Sequence, residues 1–167
     1  MASGDSLLIL RAGNGVPTAT SSAGLTSISG ASVPAERYTV LSFDDTTPEN
    51  WDFPFVMPQS YAGGGTTLRF ITSVFSGTGT YIMEAAWRRA GDDVEDLGTS
   101  HSYSFSSTSA ISPPDVIDEV SYDDLIFTDG AAMDSVTAGD MCILRVRKNG
   151  GTITGDTYLH MIELRET

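Results

Sequence analysis

Hydrophobic side chains in this chain recur at every second position, and almost nowhere with the 3.6-residue spacing of a helix. Leu68, Phe70, Thr72 and Val74 mark one face of Thr66–Phe75, and Tyr81, Met83, Ala85 and Trp87 one face of Thr80–Arg89. Trp51, Phe53, Phe55 and Met57 alternate with Asp52, Pro54 and Val56, and Tyr38–Phe43, His101–Phe105, Val116–Phe127, Met141–Lys148 and Thr157–Glu166 follow the same rule. Period-two runs of Val, Ile, Thr, Tyr and Phe between Gly, Pro, Asn and Asp clusters are strands with one face turned to a core. About eight of them over some 130 residues, with no internal repeat, predict an all-β antiparallel sandwich of jelly-roll type. Pro54 assigns its strand to an edge or a bulge. Ser76-Gly77-Thr78-Gly79 predicts a hairpin between the strands on either side, and Asn149-Gly150 a type I′ turn.

Length and charge bound the rest. The chain has 167 residues, one domain's worth. With 9 Lys and Arg against 22 Asp and Glu its net charge is −13, which excludes a phosphate-backbone binder. The single cysteine, Cys142, excludes an internal disulfide framework and a multi-cysteine metal site. The apolar run Leu7–Leu10 is too short for a secretory core or a membrane span, so the expectation is a cytoplasmic origin without a membrane partner.

Ahead of the strands the pattern changes. From Ala12 to Val33, 16 of 22 residues are Gly, Ala, Ser or Thr, a segment with little apolar surface of its own. This divides the chain into an N-terminal segment, residues 1–35, read either as a disordered tail or as an extended arm that orders only against a neighbouring subunit, and a sandwich, residues 36–167. Leu7, Leu8, Ile9, Leu10, Leu25 and Ile28 are the side chains through which such an arm would grip a neighbouring subunit.

No constellation points to catalysis. His101 and His160 stand in separate strands without the spacing of a metal pair. Cys142, among Met141, Ile143 and Leu144, reads as a buried thiol rather than a nucleophile. Gly63-Gly64-Gly65-Thr66 lacks the lysine of a phosphate loop and reads as a turn needing left-handed backbone. Between Ala90 and Leu144 there are 12 acidic residues and no Lys or Arg. Asp92, Asp93, Glu95 and Asp96 crowd one loop, and Asp118, Glu119, Asp123 and Asp124 another stretch. Such oxygens suit calcium, but the ligand-loop spacing is missing and a solvated anionic surface accounts for them. The reading is therefore of a protein with no catalytic residue and no cofactor. A carbohydrate-binding alternative would rest on an aromatic platform drawn from Trp51, Trp87 or Tyr103.

Leu41-Ser42-Phe43-Asp44-Asp45-Thr46-Thr47 and Met57-Pro58-Gln59-Ser60-Tyr61-Ala62-Gly63-Gly64-Gly65 are two segments of one resemblance. Met133–Asp140, Thr154-Gly155-Asp156 and Ile162–Thr167 complete it. Together they resemble small virion proteins of tailed bacteriophages, over roughly Tyr38–Thr167, with a shorter loop at Asn149-Gly150-Gly151. The resemblance implies a place in the virion. With the acidic β-domain it suggests a head decoration, or cement, protein bridging subunits of the major capsid protein, itself a homo-oligomer, in expectation a trimer. A tail-fibre or spike module for host glycans is the alternative. On the arm mechanism the sandwich folds without residues 1–33.

Overall fold

The computed structural model describes residues 4–30, 33–75, 78–92 and 96–167. Eleven strands are described: β1 (Ser6–Arg11), β2 (Val16–Pro17), β3 (Gly24–Ser29), β4 (Arg37–Phe43), β5 (Glu49–Val56), β6 (Thr66–Val74), β7 (Tyr81–Ala90), β8 (Ser106–Ser107), β9 (Ser121–Phe127), β10 (Met141–Gly151) and β11 (Thr157–Glu166). They form two antiparallel sheets packed as a sandwich, so the fold class read from the alternation holds. One sheet runs β3-β4-β11-β6-β9, with β1 also on β11; the other runs β2-β5-β10-β7-β8.

The core forms between the inner faces. Phe43, Leu68, Phe70, Phe127, Leu159 and Ile162 come from the first sheet, and Phe53, Tyr81, Met83, Trp87, Leu144 and Val146 from the second. Phe55 and Phe127 both meet Trp87 edge-on, with centroids 5.9 and 6.2 Å away. Pro54 lies where it removes no ladder bond from a central strand. β5 pairs with β10 along its length, and β2 covers its other edge only at Trp51 and Asp52.

Four local expectations fail. β6 and β7 do not pair: they lie in different sheets, and the Thr72 and Tyr81 hydroxyls meet across the core at 2.7 Å. An apolar face meets a partner equally well beside it or across the core, so alternation alone does not choose between them. Of the expected hairpin turn, Ser76 and Gly77 lie outside the described residues. Asn149-Gly150 is likewise no hairpin. β10 runs through it, its left-handed pair is Gly150 (φ +82°) and Gly151 (φ +104°), and the register to β7 slips there. The expected strand at Val116 starts only at Ser121, after Asp118 in left-handed geometry (φ +65°). His101–Phe105 is not a strand; it lies over the second sheet, with the Arg145 and Arg147 guanidiniums 3.9 and 3.7 Å from the Tyr103 and Phe105 ring centres.

The larger correction concerns the N-terminus: the division at residue 35 is not there. β1 pairs with β11 from Ser6↔Arg165 to Arg11↔Met161. β2 then joins β5 in the opposite sheet, and β3 returns to pair with β4 from Gly24↔Ser42 to Ser29↔Arg37. Leu10 and Ala12 are core residues, and Leu7 and Leu8 pack against them. Small residues serve this path because it is held by backbone bonds at close quarters. Asn50 N donates to Ser21 O (2.7 Å) and Ala23 N to Asn50 O (3.1 Å). A Cβ on Gly15 would stand 2.1 Å from Trp51 Nε1. Of the six proposed contact residues only Ile9 (50% exposed) and Leu25 (51%) face solvent broadly; Ile28 is half-buried.

The segments that carry the resemblance collect at the two ends of the sandwich. At one end, Met57 N donates to Asp140 O and Gly139 N to Met57 O, both at 2.9 Å. Tyr61 OH donates to Asp129 (3.1 Å) and accepts from Gly65 N (3.2 Å), and the buried Glu166 carboxylate accepts from Ala62 N (3.0 Å). Burial pushes the Tyr61 phenol up to about 12. Gly63 (φ +86°) and Gly65 (φ +94°) supply the left-handed backbone expected of that turn. At the other end Lys148, 3% exposed, donates its ammonium to the carbonyls of Asp44 and Asp45. Asp45 accepts from Gly155 N (3.2 Å), and Asp156 from Ser42 (2.7 Å). Burial lowers the Lys148 pKa, and the carboxylates of Asp45, Asp44 and Asp156 oppose that shift.

Two stability predictions follow from this packing. Leu10→Ala lowers unfolding free energy by about 2–3 kcal/mol in urea titrations, and deleting residues 1–33 abolishes the cooperative transition rather than leaving a folded sandwich. Lys148→Met, which leaves two carbonyls without their donor, costs about 1–3 kcal/mol by the same measurement.

Candidate functional site

A surface concavity lies where the edge of β11 is shared. Along that edge β4 pairs with Thr157–Leu159 and β1 with Met161–Arg165, so the two strands part at His160. Leu159 and Ile162 both point into the core, and β6 pairs with Leu159 and then Met161, leaving His160 as the extra residue of a bulge. Its Nε2 lies 2.9 Å from the hydroxyl of the buried Ser73. Burial holds its pKa below the ordinary histidine value, and Asp118 pulls the other way.

Two adjoining cavities meet over this fork and share Tyr38 and His160. The larger, about 460 Å³, is lined by Ile28, Ser29, Tyr38, Asp118, Val120 and His160, among others. The smaller, about 260 Å³, is lined by Arg11, Gly13, Arg37, Tyr38, Thr39, His160 and Met161. Tyr38 is 49% exposed, and its hydroxyl donates to the Glu36 carboxylate, which raises the phenol pKa. Asp118 stands on the segment after Pro114, which is pinned to the sheet by a bond from Asp118 N to Val74 O (3.4 Å). The groove thus offers an exposed aromatic ring, apolar walls from Ile28 and Val120, a carboxylate on one side and two guanidiniums on the other.

None of the three residues named for an aromatic platform presents a broadly exposed ring. Trp51 and Trp87 are buried in the core, and Tyr103 is partly covered against Arg145. The exposed ring beside the cavities is Tyr38, on the side of β4 opposite Leu41 and Phe43; its signal in the sequence is a large aromatic out of phase with its own strand's core face. Ile28 lines the larger cavity beside Tyr38, whereas Leu7, Leu8 and Leu10 belong to the fold. His101 and His160 do not converge: His101 lies against Tyr103 (4.8 Å between centroids) and 3.8 Å from Asp134.

The acidic stretches disperse. Asp124 pairs with Arg69 (2.9 Å) and Arg165 (2.8 Å), which hold its carboxyl below the usual range. Asp123 accepts from Ser121, and Asp96 closes its own loop onto Gly98 N (2.8 Å). Asp93 and Glu95 lie outside the described residues. Among the described residues no three His, Cys, Asp or Glu side chains gather in ligating geometry. Cys142 is fully buried, its thiol pushed up to about 12 by desolvation.

No protein-family profile matches this chain, and no curated protein matches it in sequence. Solved structures do. The CBM22-1 xylan-binding domain of Paenibacillus barcinonensis Xyn10C superposes with a TM-score of 0.51 at 9% identity, over 99% of this chain and 96% of that one. The enzymatically active domain of bacteriophage CBA120 tailspike protein 4 gives 0.47 at 13% identity, over 92% of this chain and 19% of that one. Caldicellulosiruptor saccharolyticus CBM27-1, solved with mannohexaose, gives 0.45 at 8% identity, over 95% of this chain and 96% of that one. At such identities the likeness to the xylan-binding domain is one of fold: this chain is a β-sandwich of the same general architecture.

Proposed function

We propose that this protein is a non-catalytic binding module that takes a glycan in the groove over the β1–β4 fork. The observation that carries the reading is Tyr38: an aromatic ring half in solvent, on the outer face of a sheet, flanked by Asp118 and His160 and by the apolar side of Ile28. A sugar presents an apolar face ringed by hydroxyls. An exposed ring beside fixed carboxylate, imidazole and serine groups matches both halves of that chemistry. The combined space suits a short oligosaccharide rather than a drug-like ligand deep in a pocket. No nucleophile or acid–base pair enters the argument, so the reading is of binding without turnover.

A second reading, attachment to a phage head as a decoration protein, is supported by a different surface. Phe75, Val116 and Ile117 are each more than half exposed, and the Asp118 N bond to Val74 O holds the Val116–Val120 segment beside Phe75. An apolar group of this kind suits contact with shell subunits. In that reading the sandwich itself makes the contact, because the N-terminal residues are built into its sheets.

Titration calorimetry against an oligosaccharide panel separates the two. Tyr38→Ala weakens binding at least about tenfold while Tyr38→Phe retains it. A Tyr38→Ala variant that binds glycans as tightly as the parent removes this reading. Acidity tests the bulge. Because folding lowers the His160 pKa, the unfolded chain takes up a proton first as pH falls. Stability is therefore full above the ordinary histidine value of 6.5 and declines as pH drops below it. Urea midpoints between pH 8 and about 5 show that decline in the parent, and a smaller one in His160→Gln.

A further inference from the structure

The basic residues of this chain are few and nearly all engaged. Arg69 and Arg165 hold Asp124, Arg89 holds Asp140, Arg145 holds Asp52 and Arg147 holds Glu84. Arg88 donates to the carbonyls of Asp96 and Thr99, and Lys148 to those of Asp44 and Asp45. Among the described residues, Arg11 and Arg37 are left as the two arginines whose guanidinium groups have no hydrogen-bonded or ion-paired acceptor. They are far apart in sequence, one closing β1 and one opening β4, yet both line the same 260 Å³ cavity with Tyr38 and His160.

In a protein of net charge −13, carboxylates are the commonest acceptors available to an exposed arginine. That the two unengaged guanidiniums share one cavity, at the strand fork, is an arrangement with a use. A pair of unengaged guanidiniums beside an aromatic ring suits an anionic group carried on a ring-shaped ligand. Around them the surface is acidic: Glu36 engages the Tyr38 hydroxyl, and Asp118 lines the adjoining cavity. The groove is therefore polarised, with its positive end confined to the fork.

Resting on the glycan reading above, we propose that the groove selects an acidic sugar, its anionic group held between Arg11 and Arg37 and its ring against Tyr38. The shared chemistry is a single negative charge on a saccharide, met in nature as a uronate carboxylate or a sulfate ester. The acidic exterior keeps such polymers from binding elsewhere on the protein, so the two arginines set where along the polymer the module docks.

The test is calorimetry of the full chain with three probes: an oligogalacturonate, a chondroitin sulfate oligosaccharide, and neutral xylohexaose. The expected result is tighter binding of one or both acidic probes than of xylohexaose. That binding weakens several-fold between about 0.05 and 0.5 M NaCl and at least about tenfold in Arg11→Gln/Arg37→Gln. Both positions are exposed, so the double variant keeps the parent's melting temperature, which separates lost binding from lost folding. The preferred acidic probe identifies carboxylate or sulfate. Xylohexaose bound as well as the acidic probes, or acidic binding unaltered in the double variant, overturns the selectivity and leaves the glycan reading standing. No binding of any probe, neutral or acidic, at millimolar concentration overturns both.

Discussion

The bulged strand β11 is what the sandwich hangs on. One of its edges is paired with β6 along the strand, and the other is divided between β4 and β1 on either side of His160. A regular strand of this length would take one neighbour on each side; an inserted residue re-aims the backbone so that two take turns. The division brings the N-terminal strand into the sheet, lets Leu159 and Ile162 both reach the core, and opens the fork in which the groove lies. Because β1 and β11 come from opposite ends of the sequence, the sheet is completed by contacts of high sequence separation, the arrangement associated with slow folding.

The same economy governs charge. On the outer faces, acidic and basic partners come from neighbouring strands: Arg145 and Asp52 face each other across β10 and β5, and Arg147 and Glu84 across β10 and β7. These pairs are largely covered from solvent, and they fix which guanidinium lies where. In the second sheet they hold Arg145 and Arg147 against the Tyr103 and Phe105 rings, so that face is covered by its own chain. Among the described residues, no arginine–aromatic layer of that kind covers the first sheet's fork. The contrast between the two outer faces is the physical basis for placing recognition on the first.

Much of the fold was legible because alternation reports a buried face directly. Phe43, Phe53, Phe70, Met83 and Trp87 all stand in the core where their periodicity put them. What alternation does not report is the partner of that face, and so the hairpin it suggests between β6 and β7 is in the structure a contact across the core. The N-terminal segment escapes the sequence for another reason. Counting its apolar side chains measures what it can bury by itself, whereas Ser21, Ala23 and Gly15 are held by backbone bonds and by close fit to Asn50 and Trp51. The groove was the least legible part. Tyr38 and His160 lie far apart in sequence and meet only because of a one-residue bulge, which leaves no mark in composition. The out-of-phase Tyr38 was visible; its neighbours were not.

The two ends of the sandwich differ in their relation to the chain. Gly4 N donates to Glu166 O at 2.8 Å, so the backbone enters and leaves the domain side by side, next to the Gly63–Gly65 turn. β11 carries ten residues from that end to the Lys148 cluster, a span of about 30 Å at strand rise. Anything tethered covalently at either terminus therefore emerges at the Tyr61 end. The Lys148 end points away from the tether, and the groove at His160 opens sideways between them. A domain joined in this way turns its Lys148 tip outward and carries the groove on its flank.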